Sequence, residues 1–274
     1  MSTRKVRSQR KPPPPHKIPV AVLESSLERM IGLLDLFDGG AHCWTVEQMH
    51  ERFGYTRSTL YRYLKVLSDA ELLTSLPEAG YVLGPRIVEL DYEIRRHDPL
   101  IVASAPVMME LVSEIPGIAL LCRRYRDKVL CVHQAANPAV VIQSTYERGK
   151  PLPLFSGAAS RIILAYLPPH HLQRLYEKHS KEFAAGRLGA TLSEVRAALK
   201  EMRQRGWHST AGQVTPGITG VASPIFDGAK NILGSLSLSL PDRNIEPSRL
   251  SMISDRVSFC ARIISQSTVG GRPH

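Results

Sequence analysis

The chain has 274 residues, of which 43% are hydrophobic and 22% are charged. Domains usually contain about 100 to 200 residues, so this length predicts a small and a larger domain, and the composition excludes a wholly disordered, collagen-like or coiled-coil protein. The net charge is +10, but residues 18–96 contain eight Lys/Arg against twelve acids, so overall basicity does not identify a DNA-binding domain.

The N-terminal region has the pattern of a winged helix-turn-helix. Residues 1–20 are basic and proline-rich, which predicts a disordered arm. Three amphipathic helical patterns follow, each preceded by a capping residue: Ser25, Thr45 and Thr56. The segments LLTSL and YVLG then predict the two strands of a hairpin. We therefore assign residues 21–84 to a winged helix-turn-helix domain.

The pattern after this domain is mixed α and β. Pro85 at a first helical position predicts a linker helix over residues 85–98. Residues 99–268 form the larger predicted domain, with a mainly antiparallel sheet. Its expected helices lie near 99–115, 158–167, 170–179, 191–206 and 247–267. Its expected strands lie near 118–125, 128–135, 140–146, 207–210, 219–226 and 232–240.

The third predicted helix has the chemistry of a DNA-binding surface. Residues 52–65 contain four basic residues and no acid. Arginine can bond two acceptors on guanine, and hydroxyls near a helix N-terminus can bond phosphate. The alternative is a charged face that only keeps the domain soluble, but the surrounding helices and hairpin favour DNA binding. The predicted contacts are Thr45, Thr56, Arg57, Ser58, Thr59, Tyr61, Arg62 and Lys65, while Tyr63 beside the leucine stripe has a structural role.

Several segments together resemble the IclR family of bacterial transcriptional regulators. SLERMIGLLDLF, TVEQMHERFGYTRSTLYRYLKVLSDAELL and YVLGPRIVEL resemble its N-terminal domain, and GAASRIILAYLP, GITGVASPIFD and LGSLSLSLPDR extend the resemblance over about residues 22–266. The resemblance implies an α+β protein with a winged helix-turn-helix, a linker helix and a GAF-like effector-binding domain. The implied partners are a double-stranded, palindromic DNA operator, a small-molecule effector and further copies of the chain in a homodimer or tetramer.

The segment from Ser235 to Leu240 alternates serine and leucine, which places the serines on one face of a strand and the leucines on the other. The pattern alone leaves two interpretations open: the serine face is the wall of a ligand pocket, or it is exposed to solvent. The resemblance favours the pocket, because matching positions of the family line its effector site. The effector contacts assigned in this way are Ala158, Ala159, Ser160, Thr210, Gly220, Ser237 and Ser239.

The chain departs from the family pattern in two places. Ser160-Arg161 replaces a common Gly-Lys pair, and residues 210–213 replace an acidic run. The missing carboxylates favour a neutral or anionic ligand, and we expect an organic or aromatic acid. Arg161 either bonds a ligand carboxylate or, as a residue one turn inside a helix, faces solvent.

Other classes of protein are disfavoured by missing motifs. Cys131 and His133 would share one face of a strand, but no nucleophile, base and orienting group follow a known order, and P-loop, GxGxxG, GxSxG and HExxH motifs are absent. The four cysteines have no metal-ligand spacing. We therefore expect no catalysis, cofactor or metal. A ligand-binding signalling protein without DNA binding remains the alternative.

The location expected from the sequence is the cytoplasm. The N-terminal segment lacks the apolar core of a signal peptide, and the longest apolar stretch is too short to span a membrane.

Overall fold

A computed structural model of the chain describes residues 25–139, 147–241 and 244–270. These residues belong to two compact units, divided between Glu93 and Ile94, which we call unit 1 and unit 2. The arm predicted over 1–20 and the strand predicted near 140–146 lie outside the described residues. In the described ranges no helix is long and apolar enough to cross a membrane.

Unit 1 contains an α-helix that continues into a 3-10 helix, then two further α-helices and a hairpin. The elements are α1 (Ser26–Gly32), a 3-10 helix (Leu33–Gly39), α2 (Val46–Phe53), α3 (Arg57–Asp69), β1 (Leu73–Leu76), β2 (Gly80–Leu83) and the start of α4 (Pro85–His97). The predicted helices and hairpin are confirmed, except that the first helix tightens to 3-10 geometry after Gly32. Such tightening is frequent at helix C-termini, and glycine weakens the α-helical preference there.

Local capping explains why these helices begin where they do. The hydroxyl of Thr45 accepts a hydrogen bond from the backbone N–H of Gln48, and the Gln48 side chain accepts one from the Thr45 N–H. Ser25 and Glu28 form the same reciprocal capping box. These interactions satisfy N–H groups that have no partner inside the helix.

The core of unit 1 is formed by the apolar stripe of α3. Leu60, Leu64 and Leu67 are buried, and they pack with Leu33 of the 3-10 helix. Tyr63 is also buried, and its hydroxyl lies 2.9 Å from the hydroxyl oxygen of Ser26. The structural role predicted for Tyr63 is therefore confirmed.

The end of the hairpin crosses the backbone that follows α3. The N–H of Gly84 donates to the carbonyl of Leu72 at 2.9 Å. A Cβ atom added to Gly84 would lie 2.1 Å from the carbonyl oxygen of Glu71. This close approach explains the need for glycine, since no side chain fits there without moving the backbone.

We expect Gly84→Ala to lower the unfolding free energy of unit 1 by about 3 kcal/mol or more, because the methyl group forces the hairpin away from α3. Gly40→Ala is the matched control, since its methyl group meets nothing within 4 Å and only the left-handed backbone, φ +88°, is strained. That strain costs about 1 kcal/mol. Chemical denaturation of both variants measures the difference, and equal losses would contradict the steric explanation.

Unit 2 consists of helices on both faces of one six-stranded sheet. After the end of α4, its elements are α5 (Pro99–Glu114), β3 (Ile118–Tyr125), β4 (Lys128–Ala136), β5 (Pro151–Pro153), α6 (Ala158–Ala165), α7 (Pro169–Ala185), α8 (Leu192–Arg205), β6 (His208–Ala211), β7 (Thr219–Phe226), β8 (Ile232–Leu240) and α9 (Pro247–Gly270). The strand order is β5-β4-β3-β8-β7-β6, and all neighbours are antiparallel. The predicted antiparallel sheet is confirmed. Strand β5 was not predicted, because three residues with two prolines give no strand signal.

The sheet of unit 2 separates two apolar cores. Helices α6, α7 and α8 contribute to one core, which includes Leu120 and Cys122 of β3. Helices α5 and α9 contribute to the other, which includes Leu236 and Leu238 of β8. Both faces are therefore covered, and any ligand site on the sheet has to lie between strands and helices.

One predicted side-chain arrangement is wrong. In β4, Cys131 lies opposite Cys122, whereas His133 lies opposite Leu121, because a register shift leaves Val132 without a partner. Directly opposed residues share a face of the sheet, so Cys131 and His133 lie on opposite faces. The bulge thus separates the thiol and the imidazole that were expected together.

Candidate DNA-binding and ligand sites

The face of α3 opposite the leucine stripe is exposed and basic. Five of the predicted DNA contacts are exposed on α3, namely Arg57, Ser58, Tyr61, Arg62 and Lys65. The Arg62 guanidinium lies 5.5 Å from the ring centroid of buried Tyr63, a cation–π contact that places the charge above the core. The Arg57 guanidinium is 3.9 Å from a carboxylate oxygen of Glu47, but both side chains are exposed, so the pair is weak.

The threonines predicted to contact DNA lie at the N-terminal ends of α2 and α3. The Thr56 hydroxyl accepts from the Thr59 N–H at 3.3 Å and donates to the Thr59 hydroxyl at 3.0 Å. Thr45 is half-buried at the start of α2, where its hydroxyl forms the capping box. The threonine hydroxyls therefore have structural roles at the helix ends. Their assigned DNA contacts stay predictions.

An aromatic cluster at the turn between α2 and α3 was not predicted. Tyr55 stacks on Phe53 with ring centroids 5.2 Å apart and meets Tyr63 edge-on at 6.2 Å. The Arg29 guanidinium lies 5.9 Å from the Tyr55 ring centroid. Burial raises the pKa of Tyr55. The signal in the sequence was Phe53-Gly54-Tyr55, in which two aromatic residues flank a glycine. In the structure Gly54 has the left-handed conformation, φ +71°.

Six of the seven predicted effector residues surround one cavity in unit 2, which we call the serine cavity. Its lining includes Ala158, Ala159, Thr210, Gly220, Ser237 and Ser239. Ser160 is not part of this lining, and its buried hydroxyl has no hydrogen-bond partner among the described residues. The sequence order thus brings the start of α6 and strands β6, β7 and β8 to one place.

The serine face of β8 is not exposed to solvent, so that interpretation is wrong. Ser237 and Ser239 are 2% and 3% exposed. Ser235 is fully buried and donates to the Ala159 carbonyl at 3.0 Å. The serine cavity has a volume of only about 20 Å³. That is space for about one water molecule, so an organic acid needs a wider cavity.

The segment between β6 and β7 also lines the serine cavity, and sequence reasoning missed it. Its contributing residues are Gln213, Val214, Thr215 and Ile218. The Gln213 side-chain oxygen accepts a hydrogen bond from the Gly157 N–H at 3.4 Å, which links the segment to the start of α6. The available signal was Gly212 and Gly217, both in the left-handed conformation, which mark an irregular connection of the kind that often carries function.

Arg161 does not face solvent, contrary to one of the two expectations for it. The side chain is 4% exposed. Its guanidinium donates to the carbonyl of Phe155 at 3.0 Å and to the carbonyl of Gly186. Arg161 is also not part of the serine cavity lining. Its contacts support a structural role, because a buried guanidinium needs acceptors for its N–H groups.

His208 at the start of β6 is the most strongly perturbed histidine of the described residues. Burial lowers its pKa to about 4, and the nearby positive charges of Arg161 and Arg205 act in the same direction. Its Nε2 atom is buried without a hydrogen-bond partner among the described residues. The imidazole is therefore held neutral at physiological pH.

This low pKa predicts a pH dependence of stability. An unfolded histidine has a pKa of about 6.5, so the unfolded chain takes up the proton first as the pH falls. The contribution of neutral His208 is complete above about pH 6.5 and is lost towards pH 4, with a total of about 3 kcal/mol. His208→Gln should therefore lose less stability between pH 7 and pH 4 than the wild type. Unfolding curves at several pH values test this, and parallel losses in both proteins would contradict it.

Comparisons with known proteins find matches over both units. A family model of the IclR helix-turn-helix domain matches residues 26–77, and one described as bacterial transcriptional regulator IclR C-terminal matches residues 94–266. The HTH-type transcriptional regulator BhcR of Paracoccus denitrificans is 26% identical over 248 residues, which cover 88% of this chain and 86% of BhcR.

Two crystal structures show the same fold. An IclR family transcriptional regulator from Brucella abortus superposes with a TM-score of 0.74 at 19% identity, covering 92% of this chain and 97% of that one. An IclR homolog from Microbacterium hydrocarbonoxydans, complexed with 4-hydroxybenzoate, has a TM-score of 0.68 at 17% identity, covering 89% of this chain and 99% of that one.

Proposed function

The chain belongs to the IclR family of bacterial transcriptional regulators, and from this membership we propose how it works. It is a DNA-binding transcriptional regulator under the control of a small metabolite. In our proposal the exposed face of α3 binds the operator, and an organic or aromatic acid in the serine cavity changes the operator affinity. We propose the domain boundaries expected from the sequence: 21–84 for DNA binding, 85–98 for the linker and 99–268 for effector binding.

The observation that carries the DNA-binding part is the division of α3 into two faces. Leu60, Leu64 and Leu67 hold the helix against the core, while Arg57 and Arg62 are exposed. A helix of this kind enters the major groove, where arginine distinguishes guanine. We propose a dimer on a palindromic operator, with half-sites about one helical turn apart. Pairs of dimers would give the tetramer.

We expect Arg57→Ala or Arg62→Ala to weaken binding by about 1 to 3 kcal/mol at one operator position and to relax the base preference there. Loss of a phosphate contact would instead weaken all sequences alike and lower the salt slope by about one. Competition with single-base operator variants separates the two cases, and Arg86→Ala on exposed α4 is the control. If both arginine variants lose the same affinity for every operator variant, neither arginine distinguishes bases.

The ligand part rests on the serine cavity and its neutral polar lining. Thr210, Gln213, Ser237 and Ser239 offer hydroxyl and amide groups, and no carboxylate lines the cavity in the ranges that the structure describes. Such groups suit an anionic or neutral ligand, and the neighbour from Microbacterium hydrocarbonoxydans is complexed with 4-hydroxybenzoate. Because the cavity holds about one water, ligand entry requires displacement of the segment 212–218. That displacement supplies the two states that coupling to DNA affinity needs.

We expect Gly220→Ala and Ser237→Val to abolish the effect of an active carboxylate on operator affinity while leaving DNA binding itself intact. The added Cβ of Gly220→Ala would lie 3.6 Å from the Ala158 Cβ and 4.0 Å from the Ser237 hydroxyl, ordinary contacts that fill the cavity without a clash. Ser251→Val on exposed α9 is the control. DNA binding is measured with and without each acid of a carboxylate panel, 4-hydroxybenzoate included. A response of both cavity variants equal to that of the wild type would place the effector elsewhere.

The remaining aspects of the proposal follow from family membership. The family consists of transcriptional regulators, and we infer that this chain catalyses no reaction. Cys131 is buried and its sulfur donates to the carbonyl of His133 at 3.2 Å, which suits a packed thiol better than a nucleophile. We infer that it acts in the cytoplasm, where the chromosome is accessible.

A further inference from the structure

A second cavity in unit 2 is much larger than the serine cavity. It lies between strand β7, helix α9 and the C-terminal ends of α6 and α8, and we call it the β7–α9 groove. Its volume is about 430 Å³, compared with about 20 Å³ for the serine cavity. The groove has no lining residue in common with the serine cavity. A molecule the size of an aromatic acid therefore fits here without displacing the segment that closes the serine cavity.

The groove exists because strand β6 is short. Its pairing with β7 covers only residues 219–222 of β7, so residues 223–226 have no partner from β6. Pro224 lies in this unpaired stretch, and proline cannot donate to a further strand. The N–H of Phe226 donates instead to the hydroxyl of Ser265 on α9, at 3.0 Å. This N–H is thus satisfied by a side chain and not by a further strand, and the space beside it stays open.

The charge in the groove is positive. Arg205 and Arg262 line it, and among the described residues its lining contains no Asp or Glu. Arg205 lies 3.8 Å from Glu201, but both side chains are more than 60% exposed, so the pair is weak. Arg262 makes no ion pair in the part of the chain that the structure describes. Two guanidinium groups with no buried counter-charge from the described residues favour an anion.

The groove also offers a hydroxyl donor and an aromatic wall. The hydroxyls of Ser223 and Ser258 are 2.7 Å apart, so one proton lies between them and the second can be donated to a ligand. Tyr166 and Phe226 meet edge-on, with ring centroids 4.9 Å apart. A flat apolar body packs well against such rings.

We propose that the β7–α9 groove is a second ligand site, which binds an aromatic carboxylate. The carboxylate is bonded by Arg262 and the free hydroxyl proton of the serine pair, and the ring packs against Phe226 and Tyr166. A phosphate ion satisfies the arginines but leaves the aromatic wall uncovered, so the carboxylate with an apolar ring is the favoured class. The site goes beyond the proposed function, because it does not involve the serine cavity.

The test uses benzoate and the full chain carrying Gly220→Ala and Ser237→Val, in which the serine cavity is filled. We expect saturable benzoate binding in isothermal titration, and about tenfold or more weaker binding after a further Arg262→Gln change, because a charge-assisted hydrogen bond is lost. Arg196→Gln, on the exposed face of α8, should leave the affinity unchanged. Neutral benzyl alcohol and inorganic phosphate should each bind far more weakly than benzoate.

Absence of saturable benzoate binding in the filled variant, or an equal affinity after Arg262→Gln, would overturn the proposal. If the circular dichroism spectrum shows that the filled variant is unfolded, a crystal structure of the wild-type chain soaked in benzoate replaces the titration as the test. Benzoate between Arg262 and Phe226 would support the groove, and an empty groove would exclude it. Because the readout is binding and not DNA affinity, failure here leaves the proposed function untouched.

Discussion

The alternation of serine and leucine along β8 is the constraint on which unit 2 depends. Leu236, Leu238 and Leu240 fill the core with α5 and α9, while Ser235 bonds the backbone of α6 on the other face. A shift of one residue in the pairing of β8 would exchange the two faces and bury the hydroxyls in the apolar core. The same alternation that secures the fold therefore also fixes the polar wall of the serine cavity.

Small side chains opposite this wall explain why a cavity remains there. Ala158 and Ala159 begin α6, and Gly220 of β7 contributes no side chain, so the helix and the sheet do not fill the space completely. The segment 212–218 closes it from the side through Gln213. In the proposed function this closure makes ligand binding a change of state, since a cavity for one water must widen around an organic acid.

The parts of the structure that depend on local sequence could be predicted. The cap at Thr56, the leucine stripe of α3 and the alternation in β8 are each encoded within a few residues. The features that were predicted wrongly depend on contacts with residues distant in the sequence. Arg161 is buried because Gly186, 25 positions away, offers a carbonyl, and alternation alone does not show that α6 covers Ser235. The bulge at Val132 carries no glycine or proline to mark it.

Binding of the full chain to DNA is the most direct test of its function as a transcriptional regulator. The measurement compares double-stranded DNA from upstream of the chain's own gene with scrambled DNA of the same composition, at physiological salt, by fluorescence anisotropy. We predict that the chain binds the upstream DNA at least about a thousandfold more tightly than the scrambled DNA, as expected of a specific regulator. Equal affinity for both DNAs would contradict it and would favour a ligand-binding protein without an operator.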